Sequence, residues 1–166
     1  MTDTRSAEVG LGRRVSRTSG GIVLTGGVLT ALAYWLLPVA TIPLVGSVAA
    51  PSLLEATADS GSFGLLRLVP ITVLLTIVAG VWLLVGAGGR ARMIASLGVL
   101  LCAVLTLLAY LVPLGRVDQA LDSAGADELG IHATNLTGAG FWLALIGAVV
   151  AGVGAIVELA ATRTRG

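Results

Sequence analysis

The sequence predicts an all-α integral membrane protein built as a four-transmembrane-helix bundle, and three observations lead there. The 166 residues are 56% hydrophobic and only 11% charged, with a mean hydropathy of +0.99. A soluble domain carries roughly 25% charge and cannot keep so apolar a surface in water. Four uncharged stretches are each long enough to cross about 30 Å of hydrocarbon, which takes roughly 20 residues. Finally, eight of the ten basic residues fall on one side of those stretches.

The first span is placed at about 20–44, inside a charge-free interval between Arg17 and Glu55 whose core reads IVLTGGVLTALAYWLLPVATIPLVG. A cleaved signal peptide is disfavoured, because this run far exceeds the roughly 7–15 residues of a signal's apolar region. The second span, at about 64–87, uses the uncharged run from Leu68 to Gly89, and the third, at about 93–114, that from Met93 to Gly115. The fourth, at about 138–160, is densest from Gly138 onward. None of the four shows the polar stripe of period 3.6 that marks a soluble amphipathic helix. Residues 1–17 are polar and are expected to be a mobile cytoplasmic segment; residues 18–166 form the membrane domain.

Orientation is read from the arginines. Arg5, Arg13, Arg14, Arg17, Arg90, Arg92, Arg163 and Arg165 share one side, and only Arg67 and Arg116 lie opposite. The positive-inside rule therefore puts both termini in the cytoplasm of a multi-pass protein of the plasma membrane. Glu55, Asp59, Asp118, Asp122, Asp127 and Glu128 gather outside.

Two local matches suggest duplicated helical hairpins. Leu29-Thr30-Ala31-Leu32-Ala33-Tyr34 resembles Leu105-Thr106-Leu107-Leu108-Ala109-Tyr110, and Val78-Ala79-Gly80-Val81 resembles Val150-Ala151-Gly152-Val153. The order of spans is preserved, as a parallel repeat requires. The prolines (Pro38, Pro43, Pro51, Pro70 and Pro113) all fall in the outer half or the first outer loop. Pro43 and Pro113 are expected to mark helix ends, since proline removes a backbone donor. In the second loop Val117, Ala120, Leu121 and Ala124 form a weak amphipathic stripe.

Chemistry-bearing residues are sparse. Cys102 stands alone in an apolar run, which excludes an intrachain disulfide. His132 is the single histidine, with Glu128 four residues earlier and Asp127 beside it; a metal site wants three or four ligands, so no metal site is assigned. One histidine also excludes bis-histidine haem within the chain, and no cofactor is expected. No catalytic residues are assigned, and the chain is not expected to be an enzyme.

An ionisable residue inside a membrane is a functional candidate by default. Glu158 comes closest, roughly 7 Å inside Arg163 at 1.5 Å per residue, and it is expected to pair with Arg163 or Arg92. Arg67, just inside the second span, has a long stem that lets it snorkel toward Asp59 or Asp118. Gly26, Thr30, Gly80, Gly147, Ala151 and Gly152 are the expected helix-packing positions, because small residues let helix backbones approach closely. Thr25, Thr72, Thr76, Ser96 and Thr106 can hydrogen-bond within or across helices. Trp35, Trp82 and Trp142, with Tyr34 and Tyr110, are read as interfacial anchors.

The stretch Gly138-Ala139-Gly140-Phe141-Trp142-Leu143 resembles the start of the fourth helix of claudin-like tetraspan proteins over these residues. The tryptophan and cysteine pattern of that family's first outer loop is missing here, so no membership follows.

The functional expectation is a small non-catalytic accessory subunit or scaffold. It packs against a membrane-protein partner, a second copy of itself or lipid, with the bilayer as its medium and no role for nucleic acid. The alternative is an oligomeric transporter of hydrophobic or cationic small molecules. Four-helix multidrug exporters carry a mid-membrane glutamate in their first helix, and this first span has none.

Overall fold

A computed structural model describes residues 3–42, 46–49, 64–85, 89–123 and 133–163. Four long apolar helices pack as a bundle, and each is long and apolar enough to cross a membrane: the spans are Thr18–Leu36, Gly64–Val85, Gly89–Ser123 and Ala139–Arg163. The chain is a multi-pass membrane protein with an all-α membrane domain.

Helix α1 runs Asp3–Leu36. It begins well before the apolar segment, in residues where the sequence suggested no regular structure. Once a span is helical, each further residue adds one backbone bond for one residue fixed, and Arg, Ala, Glu and Leu propagate well. At the other end α1 stops sooner than the expected limit near residue 44. Pro38 has no N–H to bond the carbonyl of Tyr34 and pushes Leu37 out of the α region. Beyond it, strand β1 (Pro38–Ile42) pairs antiparallel with β2 (Gly46–Ala49). This hairpin was not foreseen, and the β-branched Val39, Thr41, Ile42 and Val48 supply its propensity.

A 3-10 turn, Gly64–Leu68, leads into α2 (Val69–Val85). Pro70 sits in its first turn, where the missing N–H has no intrahelical acceptor to lose. Helix α3 spans Gly89–Ser123 and contains Pro113. The expectation that Pro113 ends this helix is therefore overturned. Only the bond to Ala109 is forfeited, and the helix continues through the stripe of Val117, Ala120 and Leu121. At 35 residues α3 is about 52 Å long, well beyond the hydrocarbon thickness. A second 3-10 turn, Ala133–Leu136, precedes α4 (Ala139–Arg163).

The helices stand in a ring in chain order, with α4 closing against α1. The ring thus has two ends: one carries the β hairpin, the other the end of α2, the start of α3 and the end of α4. At the hairpin end, Ala40 bridges to Thr137, and the Gly138 amide donates to the Val39 carbonyl at 2.8 Å. A Cβ on Gly140 would stand 2.8 Å from the Leu37 carbonyl, so only glycine lets the hairpin seat on the start of α4. The Asp118 carboxylate, near the C-terminal end of α3, accepts the Ala133 amide at 3.1 Å and ties down the turn.

Two buried clusters fill the ring. Ala33, Tyr34, Val39, Leu66, Val69, Val73, Ala109, Tyr110, Phe141 and Ala144 pack at the hairpin end. Val23, Leu83, Val99, Ala151 and Ala155 pack toward the other. The outward side chains are apolar too, among them Leu74, Leu75, Trp82, Ile94, Leu101 and Ile146. Such a surface is stable against lipid chains and not against water.

The sequence matches between the two hairpins extend to environment. Thr30 and Thr106 are both buried, and each donates to the carbonyl four residues earlier, Gly26 at 2.9 Å and Cys102 at 2.8 Å. Tyr34 and Tyr110 are both buried one turn further along.

Candidate functional site

The packing positions organise the interior. On α4, Gly147, Ala151 and Glu158 recur at helical spacing, so all three face inward. A Cβ on Gly26 would stand 2.5 Å from both the Ala151 amide nitrogen and the Gly147 carbonyl, which brings the α1 and α4 backbones into direct contact. Thr30 fills the next turn, its hydroxyl lying over Gly147. Gly80 does the same for α1 and α2, where a Cβ would meet the Leu24 backbone at 3.0 Å. Gly152 faces α3 more loosely, 3.7 Å from the Ala103 methyl.

Glu158 continues this inward face one turn beyond Ala155, and it is fully buried. Three helices meet around it. The Ser19 hydroxyl of α1 donates to its Oε2. Arg92, in the first turn of α3, places Nη1 3.8 Å from Oε1. Ser96, one turn further along α3, is fully buried on the same face. Of the two arginines expected near Glu158, Arg92 is the one that reaches it. Ser19 is not legible in the sequence: a serine following Arg17 and Thr18 at the edge of a span carries no spacing signal of its own.

Three polar atoms in this corner have no hydrogen-bond partner among the described residues: Arg92 Nε, Ser96 Oγ and Glu158 Oε1. Unpaired buried polar groups are costly and uncommon. They make this corner the most chemically distinctive place among the described residues.

A second polar layer lies near the bundle's middle. The Thr72 and Thr106 hydroxyls are 2.9 Å apart and link α2 to α3. Thr76 donates to the Thr72 carbonyl at 2.7 Å. Beside them a cavity lined by Gly27, Thr30, Val73, Thr76, Ala148 and Ala151 has room for about one water. The Cys102 thiol lies against Thr76.

Between the two polar layers stand Val23, Leu83, Val99, Ala151 and Ala155, each no more than 2% exposed. From Ser96 to Cys102 this apolar layer spans roughly 9 Å along α3. Among the described residues no polar side chain bridges it.

Other candidates fall elsewhere. Arg67 is exposed on the 3-10 turn before α2 and pairs with no carboxylate among the described residues. Asp118, one of its expected partners, instead accepts the Ala133 amide. Asp59, Asp127, Glu128 and His132 lie outside the described residues. Trp35, Trp82 and Trp142 are about half exposed on the bundle's outer surface. Tyr34 and Tyr110 are not surface anchors: both are core residues, and Tyr110 packs edge-on against Phe141 with ring centroids 5.8 Å apart. Their places in the repeated segments put them on the inward face of α1 and α3.

This chain matches no known protein family, and no curated protein or solved structure is significantly similar to it.

Proposed function

We propose that this protein is a non-catalytic accessory subunit or scaffold of the cell membrane, with both termini in the cytoplasm, that works by packing against a membrane-protein partner or a second copy of itself. The observation that carries this reading is the apolar layer of Val23, Leu83, Val99, Ala151 and Ala155. It separates the Glu158 corner from the threonines, so protons and ions have no polar route along the bundle axis. The glycine seam between α1 and α4 supports the same reading, since it holds the helices too close for a substrate to pass. The eight arginines on the side of the termini support the orientation.

The test is cross-linking in native membranes from a photoreactive residue placed at outward positions Leu75, Leu101 or Ile146. A discrete protein adduct from one face identifies the packing surface and whether the neighbour is another copy. Adducts to lipid alone from all three would sink the reading. So would loss of proton-coupled uptake or efflux in Glu158→Gln, which would favour the transporter instead.

A further inference from the structure

We propose that the corner enclosed by Arg92, Ser96 and Glu158 is a binding site for a single water molecule, which turns the open Arg92–Glu158 pair into a water-bridged one. Three buried polar atoms here are unpaired among the described residues. Arg92 Nε–H offers a donor, Glu158 Oε1 offers an acceptor, and the Ser96 hydroxyl can do either. All three atoms are buried, and Glu158 and Ser96 are buried as whole residues. They lie on two facing helices, with Arg92 and Ser96 one turn apart on the same face of α3.

The chemistry of the occupant follows by elimination. A metal cation would sit against the guanidinium, and an anion against the carboxylate. An apolar group would leave all three atoms unpaired. What remains is a small neutral molecule that donates and accepts at once, and water does both. At 3.8 Å, Arg92 Nη1 and Glu158 Oε1 are beyond hydrogen-bond length yet too close for a water on the line between them, so the water sits to one side, on Nε–H rather than Nη1.

The site has a defined frame. Ser19 holds the other carboxylate oxygen from α1, so Glu158 cannot swing toward Arg92 to close the gap without losing that bond. Val99 and Leu83, at 1% and 0% exposure, wall the corner off from the threonine layer. Arg92, 15% exposed at its side chain, is its side toward the bundle surface. The water joins α3 to α4 while the Ser19 bond joins α4 to α1, so one hydrated corner sets the register of three helices.

The test turns on a sign. In a dry corner Ser96→Ala removes a buried hydroxyl that bonds nothing, and the melting temperature of the purified full-length protein rises. In a hydrated corner the same change takes a partner from the water, and the melting temperature falls by a few degrees. We expect the fall. The second measurement needs no variant: a structure of the whole protein resolved to about 2 Å should show a density peak within about 3.2 Å of Ser96 Oγ, Arg92 Nε and Glu158 Oε1. A rise in melting temperature for Ser96→Ala overturns the site. So does a resolved structure in which those three atoms bond directly to protein groups with no peak between them.

Discussion

Arg92 Nη1 stands 3.8 Å from Glu158 Oε1, and the two partners are unequally buried, with side-chain exposures of 15% and 0%. The pair is therefore asymmetric. If Glu158 loses its partner, its charge stays fully enclosed; if Arg92 loses its partner, its guanidinium still has a solvent-facing edge to snorkel toward.

From that asymmetry, Arg92→Ala should destabilise the bundle by roughly 3–5 kcal/mol, the cost of stranding a buried charge. Glu158→Gln should cost only about 1 kcal/mol, because glutamine keeps the shape and still accepts the Ser19 hydroxyl. Thermal or denaturant unfolding in a mild detergent measures both. Equal losses would mean that the two charges are equally enclosed.

Gly26→Ala should cost about 1–3 kcal/mol, since the new methyl would press on the Ala151 and Gly147 backbone, and a backbone cannot rotate away. Gly98→Ala is the contrast. Nothing lies within 4 Å of its Cβ, and alanine favours the helix by up to about 1 kcal/mol. Melting temperatures of the two variants should move in opposite directions.

The Thr72–Thr106 bond joins α2 to α3 inside the membrane. A double-mutant cycle of Thr72→Val and Thr106→Val should return a coupling near 0.6 kcal/mol, the scale of interhelical hydrogen bonds in bilayers. Valine keeps the volume, so the cycle reports the bond. Zero coupling would show the hydroxyls to be satisfied by their own helices alone.

The Tyr110 hydroxyl is buried without a hydrogen-bond partner among the described residues. Tyr110→Phe should therefore leave stability unchanged or raise it by about 1 kcal/mol, with the ring contact to Phe141 kept. A marked fall in melting temperature would reveal a partner for that hydroxyl.

The proposed orientation predicts a labelling pattern in a Cys102→Ser background. A membrane-impermeant maleimide applied to intact cells should modify Ser123→Cys, on the extension of α3, and leave Arg163→Cys untouched until the membrane is opened. The reverse pattern would invert the topology.

Much of this architecture is legible in the chain itself. Runs such as Met93–Gly115 and Gly138–Ile156 report their helices through length and lack of charge, because a single apolar segment can pair its own backbone polar groups in hydrocarbon only as a helix. The small residues Gly26, Gly147 and Ala151 announce a close seam for a similar reason: their size is a local property. Element ends were harder. Pro38 ended α1 while Pro113 did not end α3, and the two look alike in sequence. What differs is the continuation, into the β-branched Val39, Thr41 and Ile42 in one case and the helix-compatible stripe of Val117, Ala120 and Leu121 in the other.

The four apolar helices, and the arginine asymmetry on which the proposed orientation rests, were thus determined by the sequence alone, since hydrophobic length and charge distribution act along the chain. Which groups gather around Glu158 was decided only by the tertiary structure. Ser19 and Glu158 are 139 positions apart, and no local pattern encodes their meeting. It depends on how far each helix slides along its neighbour before glycine meets backbone at Gly26 and Gly80. That slide is a property of packed surfaces, and it puts a buried charge, its cation and two serines at one corner of a bundle whose centre is apolar.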